Sequence, residues 1–217
     1  MALQLRIFVP PHPLVKHWLA IARDQNTPGV MFRTALKELG YWLTYEAMRA
    51  DWIPTEDVMV ETPLGPTPAT LVSPLTPLAI VPILRAGLAL YDGAQAVMPR
   101  ASTYHLGLAR NEETLEPSCY LNKLPETLDQ QTRILICEPM LATGGSLMMA
   151  LDELTRRQAD PALIRVISVV AAPPALKKLA EAYPALQIYA AGIDESLNEH
   201  GFIVPGLGDA GDRAFET

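Results

Sequence analysis

Residues 133–146, RILICEPMLATGGS, decide the fold that we expect for this chain. The apolar run from Ile134 to Cys137 is typical of a strand that is buried on both faces. A turn of small residues, TGGS at 143–146, comes next. Apolar residues then recur at helical spacing, namely Leu147, Met148, Leu151 and Leu154. The segment is therefore predicted to run from a strand through a loop into a helix.

The loop inside this segment has the composition of a phosphate site. Glycine lets the backbone close round an anion, and the amides at a helix N-terminus favour negative charge. The loop lacks the lysine of the nucleoside-triphosphate P-loop. Instead, Glu138 precedes the turn, where a carboxylate can accept hydrogen bonds from sugar hydroxyls. A ribose 5-phosphate satisfies both features, but an ordinary strand-to-helix turn is an equal alternative on these residues alone.

The composition limits the kind of protein that this can be. A length of 217 residues with 49% hydrophobic residues suits a single α/β domain over residues 1–217. The 17 basic and 24 acidic residues give a formal net charge of −7, which argues against a nucleic-acid polymer as partner. No apolar run is long enough for a membrane span, and no signal peptide is evident at the N-terminus.

The cysteines and histidines do not form recognisable frameworks. Cys119 and Cys137 have no disulfide-type pattern, and the four histidines have no zinc-type spacing. We therefore expect a reducing, cytoplasmic location and no metal site built from protein side chains alone.

Two arginines stand at the ends of other predicted strands. Residues 78–84, LAIVPIL, form a buried strand that leads into Arg85 and a helix over 88–97. A third strand over 103–109 ends at Arg110. Because open α/β sheets bind ligands outside the carboxyl ends of their strands, both arginines are candidates for binding phosphate groups. A surface ion pair is the alternative for Arg85.

The remaining elements alternate between helices and strands. They are helices over 13–23, 30–50 and 173–183, strands over 163–171 and 185–190, a hairpin of 58–60 with 69–72, and a polar arm over 115–124. This order predicts right-handed βαβ units and an α/β fold with a central mainly parallel sheet flanked by helices. One helix carries an apolar stripe that is either core or a subunit contact, formed by Phe32, Leu36, Leu39, Leu43 and Ala47.

The tail over 192–217 is rich in glycine but is not composed like a solvated tail. It carries apolar residues such as Ile203 and Phe215 between the glycines. Glycine-rich backbone of this kind predicts a loop that wraps closely round a ligand. Its N–H and C=O groups could read a small planar ring by hydrogen bonds.

Several separate motifs resemble the uracil phosphoribosyltransferase family, in order and over nearly the whole chain. EPMLATGGS is similar to the family's phosphoribosyl-pyrophosphate loop, and VPILRAGL is similar to its pyrophosphate loop. GLARNEETLEP resembles its arm, and GIDESLNEHGFIVPGLGDAGDRAF resembles its uracil-binding C-terminal loop. HPLVKH and ELGYWLTYEAMR resemble its N-terminal helices.

The resemblance implies a phosphoribosyltransferase-like fold with N-terminal helices, a β-arm and a C-terminal base-binding loop region. It implies transfer of the 5-phosphoribosyl group from phosphoribosyl pyrophosphate to uracil, which gives UMP and pyrophosphate in pyrimidine salvage, with Mg²⁺ as cofactor. It also implies a homodimer or a higher homo-oligomer, and it raises GTP as an effector.

The resemblance further implies roles for individual residues. Asp209 and Arg110 would be catalytic. The donor-binding set would be Arg85, Arg110, Glu138, Pro139, Met140, Leu141, Ala142, Thr143, Gly144, Gly145, Ser146 and Asp209. The uracil-binding set would be Ile203, Gly208, Asp209 and Ala210, mostly through backbone groups.

The chain departs from the family pattern at a few positions. An aspartate is replaced by Glu138, a tyrosine and an aspartate beside Arg110 are replaced by Ala109 and Asn111, and another tyrosine is replaced by Phe202. Two alternatives therefore stay open. One is a non-catalytic, nucleotide-binding regulatory relative. The other is a phosphoribosyltransferase for another base such as orotate, whose carboxylate would find only Arg213 as a cation in the C-terminal loop.

Overall fold

The computed structural model describes residues 5–49, 52–110 and 117–217. Its α-helices are α1 (Pro13–Arg23), α2 (Gly29–Ala47), α3 (Leu88–Val97), α4 (Gly145–Arg156), α5 (Pro173–Ala182) and α6 (Ala210–Phe215). Its first strands are β1 (Arg6–Phe8), β2 (Thr55–Thr62), β3 (Gly65–Val72), β4 (Leu78–Leu84), β5 (Ser102–Thr103), β6 (Leu106–Arg110) and β7 (Pro117–Asn122). The later strands are β8 (Arg133–Cys137), β9 (Met140–Leu141), β10 (Ile164–Ala171), β11 (Gln187–Ile193), β12 (Ser196–Leu197) and β13 (Ile203–Val204).

Strands from both halves of the chain form one central sheet in the order β1-β11-β10-β8-β4-β6-β7. Neighbouring strands are parallel except β6 and β7, which run antiparallel. The short strands β5 and β9 pair with β4 and β10, while β2–β3 and β12–β13 form two separate antiparallel hairpins. The predicted α/β class with a mainly parallel sheet is confirmed.

The register of β4 and β8 fixes the position of the two predicted ligand loops. Pro82 of β4 pairs with Cys137 of β8, so the two strands end side by side. Gly87 lies directly against this edge of the sheet. Glycine is required there, because a Cβ atom would collide with the carbonyl oxygen of Cys137. The two strand–loop–helix units therefore meet at one edge of the sheet, where open α/β sheets bind ligands.

The hydrophobic core lies on both faces of the sheet. The inner strands β8 and β10 are buried along nearly their whole length, as their continuous apolar runs predict. One face packs mainly against α1, α2 and α3, and the other packs against α4 and α5. Across the described ranges we find no helix with the length and apolar character that a bilayer crossing requires.

The apolar stripe of α2 belongs to this core. All five of its members are fully buried within the single chain, namely Phe32, Leu36, Leu39, Leu43 and Ala47. The alternative that this stripe contacts another subunit is therefore wrong. The apolar residues that α2 does expose lie on its other faces, at Val30, Met31, Tyr41 and Tyr45.

Helix α2 ends at Ala47, earlier than the predicted end at residue 50. The guanidinium of Arg165 donates hydrogen bonds to the carbonyl oxygens of Ala47 and Arg49. Carbonyls at a helix end have no partner within the helix, and an arginine that binds them stabilises the end at that point. This partner lies on β10, so the helical pattern alone could not locate it.

The other boundaries differ from the predictions in small ways. The predicted strand over 103–109 is divided into β5 and β6, which keep one register along β4. The predicted hairpin is longer, because β2 and β3 extend to a two-residue turn at 63–64. β1 is too short, too exposed and too close to prolines to be apparent from sequence. β7 confirms part of the predicted arm over 115–124, and residues 115 and 116 of that arm lie outside the described residues.

Helices α2 and α3 approach so closely that glycine is required at their contact. A Cβ atom on Gly93 would collide with backbone atoms of Lys37 and Tyr41. Gly93→Ala is therefore expected to lower the free energy of unfolding by about 2 kcal/mol or more, although Gly→Ala inside a helix ordinarily raises it by up to about 1 kcal/mol. Urea denaturation measures the difference. The exposed change Gln95→Ala on the same helix is the control, and an unchanged stability for Gly93→Ala would contradict the packing.

Candidate active site

The loop after β8 places free amides around a small cavity. Gly144 is the N-cap of α4 with a φ of 78°, a left-handed conformation that glycine adopts without strain. A Cβ atom there would lie 3.2 Å from the Cα atom of Ala175, so α5 also limits the space. No side chain in the described part of the chain caps this end of α4. Its first amides therefore remain available to an anion at the positive end of the helix dipole.

Two adjoining cavities surround this loop. The first has a volume of about 220 Å³ and lies between the loop and the C-terminal tail. It brings together ten predicted residues, namely Glu138, Met140, Leu141, Ala142, Thr143, Gly144, Gly145, Ser146, Asp209 and Ala210. The second has a volume of about 470 Å³ and lies where β4 and β6 end, with Arg85 in its lining. Both cavities share Glu138, Ser146 and Asp209, so ligand groups in the two could touch.

Three predicted residues do not line either cavity. The carbonyl oxygen of Pro139 accepts hydrogen bonds from the backbone of Val169 and Val170, so Pro139 faces the sheet. Ile203 is buried in the core on the α2 side. Gly208 has a φ of 78° and forms the turn that precedes Asp209. Pro139 and Ile203 therefore lie behind the cavity wall, whereas Gly208 is exposed at its turn.

Glu138 is the buried carboxyl group of the site. It follows β8 directly, is only 9% exposed, and receives a hydrogen bond from the backbone of Met140. Burial raises the pKa of this carboxyl to about 8, the bond from Met140 opposes the rise, and the nearby negative charge of Asp209 adds to it. The side chain therefore carries a proton over much of the neutral range in the free protein.

Arg85 is held by the C-terminal helix. Its Nη2 atom lies 3.1 Å from Oδ1 of Asp212, and its Nη1 atom donates to the hydroxyl of Thr217 at 3.2 Å. Both side chains of the ion pair are 54% exposed, so the pair itself contributes little to stability. Arg85 therefore forms the surface ion pair that was the alternative to a ligand-binding role. It also lines the second cavity, where a phosphate-binding arginine was predicted to lie.

Arg110 ends β6 at the same edge of the sheet as Arg85. Its backbone position agrees with the prediction of a cation at a strand end. The side chain of Arg110 and the neighbouring residues Asn111, Glu112 and Glu113 lie outside the described part. Ala109, one residue earlier, lines the second cavity.

Asp209 begins the C-terminal helix and faces both cavities. It is the N-cap of α6, and its Oδ1 atom accepts a hydrogen bond from the backbone N–H of Asp212 at 2.9 Å. Ala210, the first residue of α6, is buried beside it. This cap fixes the Asp209 carboxylate at the junction of the cavities, because only a narrow range of rotamers allows the bond.

Sequence reasoning missed some members of the site. Ala86, Phe202 and Gly211 also line the first cavity, and Asp212 partners Arg85. The spacing of Asp209 and Asp212, three residues apart at a helix start, is a signal of capping. The partnership with Arg85 has no local signal, because the two residues are 127 positions apart.

Comparisons with known proteins show which family this chain matches. Residues 9–217 match the family described as uracil phosphoribosyltransferase. A uracil phosphoribosyltransferase from Nostoc is 66% identical over 217 residues, which cover 100% of each chain. A relative from Arabidopsis thaliana, named uracil phosphoribosyltransferase, chloroplastic, is 50% identical over 99% of this chain and 72% of its own. A solved structure of a protein from Aquifex aeolicus has a TM-score of 0.88 at 40% identity, covering 96% of this chain and 97% of that one.

The buried Glu138 makes stability depend on pH. Its ordinary pKa of 4.5 applies in the unfolded chain and a pKa of about 8 in the folded one, so the folded state binds more protons between these values. The free energy of unfolding should therefore fall as the pH rises from about 5 to about 8. Urea denaturation across this range should show a flatter profile for Glu138→Gln. Glu195→Gln, an exposed carboxyl change, should keep the slope of the natural sequence, and equal slopes in all three proteins would contradict the assignment.

Proposed function

The chain belongs to the uracil phosphoribosyltransferase family, and we propose that it transfers the 5-phosphoribosyl group of phosphoribosyl pyrophosphate to uracil, giving UMP and pyrophosphate. One observation carries the proposal: the 143–146 loop and the C-terminal tail line the same cavity, with Glu138 and Asp209 in its wall. A phosphate site and a ring site thus adjoin, as joining a ribose phosphate to a base requires.

The donor lies across both cavities in this proposal. The amides at the start of α4, with the hydroxyls of Thr143 and Ser146, hold the 5-phosphate. Glu138, at the end of β8, accepts hydrogen bonds from the ribose hydroxyls. Arg85 and Arg110, at the ends of β4 and β6, bind the pyrophosphate in the second cavity.

Displacement at the anomeric carbon passes through a ribosyl centre with cationic character. The Asp209 carboxylate, fixed by its capping bond, faces that centre from the junction of the cavities. The arginines neutralise the negative charge that develops on the departing pyrophosphate. The protein therefore contributes mainly by aligning the two substrates and by placing opposite charges beside the atoms that react.

Magnesium fits this site as an ion that the donor carries. Among the described residues we find no group of three His, Cys, Asp or Glu side chains that could cage a metal. Magnesium keeps several waters and commonly binds substrate phosphates with few protein ligands. Pyrophosphate oxygens and water would thus hold it, and the exposed Asp209 could reach its water shell. When bound, it supplies further charge neutralisation on the leaving group.

The base lies against the backbone of the tail. In the first cavity, backbone N–H and C=O groups of the tail near Asp209 and Ala210 bind one edge of uracil, which offers an acceptor, a donor and an acceptor, while Ile203 and Gly208 support this backbone from outside the cavity lining. Cytosine carries an amino group in this edge and would leave buried polar groups unpaired. Each such group costs roughly 1–3 kcal/mol, which is sufficient for strong discrimination.

A homo-oligomer is supported by the β2–β3 hairpin rather than by the α2 stripe. The hairpin forms its own two-stranded sheet, and isolated hairpins are only marginally stable in water. It exposes several large apolar side chains, namely Met59, Leu64, Leu71 and Val72. An exposed apolar ribbon of this kind is stabilised when another subunit covers it. We therefore infer a homodimer or a higher homo-oligomer.

Two further inferences concern the location of the protein and its regulation. The free thiols of Cys119 and Cys137, the second of which is buried, support a reducing, cytoplasmic location. GTP as an effector rests on the family resemblance alone. Its test is the activity assay with and without GTP.

The assay for the proposed activity also tests Arg85. Purified protein with uracil, phosphoribosyl pyrophosphate and Mg²⁺ should form UMP, followed by chromatography, and chelation of Mg²⁺ should stop it. Arg85→Ala should raise the KM for the donor at least about tenfold, because a charged hydrogen-bonding partner of the pyrophosphate is lost. Arg100→Ala, an exposed arginine away from both cavities, is the control. Nucleotide binding without turnover would instead favour the regulatory relative, and faster turnover of orotate would favour another base.

The oligomer is tested by light scattering at micromolar concentration. The mass should be that of a dimer or a larger assembly, and the double change Leu64→Asp with Leu71→Asp should shift it towards the monomer, because it places charge in an apolar contact. Thr67→Asp adds charge at an exposed polar position of the same hairpin as the control. A monomer mass for the natural sequence would refute the inference.

A further inference from the structure

A partly buried ion pair holds the segment of the tail between Phe202 and Asp209, two residues that line the first cavity. Arg23 is the last residue of α1, and Asp194 follows β11. The Arg23 Nη2 atom lies 2.5 Å from Oδ1 of Asp194, and its Nη1 atom lies 2.9 Å from Oδ2. The Asp194 side chain is only 5% exposed and the Arg23 side chain is 26% exposed, so the contact is a forked, partly buried pair.

This ion pair forms hydrogen bonds with both the backbone N–H and the backbone carbonyl of Gly206 in the tail. The N–H of Gly206 donates to Oδ2 of Asp194 at 2.9 Å, and its carbonyl oxygen accepts from Nη1 of Arg23 at 2.8 Å. Gly206 has a φ of 59°, and a Cβ atom there would collide with the carbonyl oxygen of Ile203. The pair therefore sets the orientation of the backbone between Ile203 and Gly208.

A second arginine fixes the next residue. The Nη1 atom of Arg213 donates to the carbonyl oxygens of Leu207 and Ala22, each at 2.6 Å, and its Nη2 atom donates to that of Asp24 at 2.6 Å. Its guanidinium lies 4.2 Å from the ring centroid of Phe32. Gly206 and Leu207 are thus both tied to the C-terminal end of α1, by different side chains.

Arg23 and Asp194 line neither cavity, so they act only through the backbone that they hold. Removing Arg23 would leave the Asp194 carboxylate buried without its cation, and removing Asp194 would leave the guanidinium, which is 26% exposed, without its anion. The backbone near Gly206 would then shift to satisfy that charge. A shift of about 1 Å is large for hydrogen bonds that read the edge of a base, and misplacement on this scale can cost about a hundredfold in rate.

We propose that Arg23 and Asp194 are positioning residues that set the affinity for uracil by orienting the Gly206 peptide. This inference rests on the proposed function, since it assigns uracil to the tail. The pair contacts no residue of the 143–146 loop, which binds the 5-phosphate in the proposed function, and separate bonds with Arg213 and Asp212 hold Leu207 and Asp209. We therefore expect loss of the pair to affect the base more than the donor.

The test is a steady-state comparison of the two KM values in Asp194→Asn. The KM for uracil should rise roughly 10- to 100-fold, as expected for a lost charged hydrogen bond, while the KM for phosphoribosyl pyrophosphate should stay within about twofold. The double variant Arg23→Gln with Asp194→Asn removes both charges. Its KM for uracil should therefore rise by less than the product of the fold-changes measured for the two single variants. Glu195→Gln, the exposed neighbouring carboxyl, is the matched control and should behave as the natural sequence.

Any result without this split between the two KM values contradicts the inference. An unchanged KM for uracil, or an equal rise in both KM values, would overturn it, because a purely structural role affects both substrates. If Asp194→Asn does not fold, Arg23→Lys keeps the charge but loses the fork, and the same split between the two KM values is then required. Absence of UMP formation by the natural sequence would refute the proposed function, whereas turnover without the split would refute only the role of this pair.

Discussion

The parallel pairing of β4 with β8 is the contact on which the site depends. It brings the carboxyl ends of two strands together, so that Arg85 and Glu138 follow neighbouring strands at one edge of the sheet. Gly87 allows the start of α3 to lie against the carbonyl of Cys137, a distance that no side chain would permit. A slip of one residue in this register would change which side chains pack together on each face of the sheet and would move Arg85 relative to Glu138 by about 3.3 Å. The same register therefore fixes both the core and the ligand edge.

The two halves of the site differ in how their charges are satisfied. Around the donor loop, the backbone supplies the charge: the α4 amides have no capping side chain among the described residues, while the buried Glu138 carboxyl, whose pKa is raised, is protonated and neutral near pH 7. Around the base loop, charge is already paired within the protein, and the paired groups serve the backbone. In the proposed function, the first half binds the donor by electrostatics, and the second half recognises the shape and the hydrogen-bond pattern of the base. This division suits a reaction that joins a highly charged donor to a neutral ring.

The local parts of this design could be predicted from the sequence, and the long-range parts could not. The strand, turn and helix at 133–146 follow from hydrophobic periodicity and from glycine, and the structure confirms them with Gly144 in the left-handed region. Helix α3 begins and ends at the predicted residues. By contrast, the end of α2 depends on Arg165 of a distant strand, and the ion pair of Arg23 with Asp194 joins residues 171 positions apart. Periodicity describes one element at a time, so such partners are invisible to it.

The contacts of Arg23 and Asp194 with Gly206 also have a consequence for the order in which the parts of the site form in a newly synthesised chain. Arg23 and Gly206 are 183 positions apart, and contacts between distant segments form late because a long loop must close first. On the ribosome, β4, β8 and α4 can assemble while the tail has not yet been synthesised. In the proposed function, the loop that binds the 5-phosphate is therefore complete before the tail that selects the base. A nascent chain would pass through a stage in which the phosphate loop is formed but nothing yet distinguishes one pyrimidine from another.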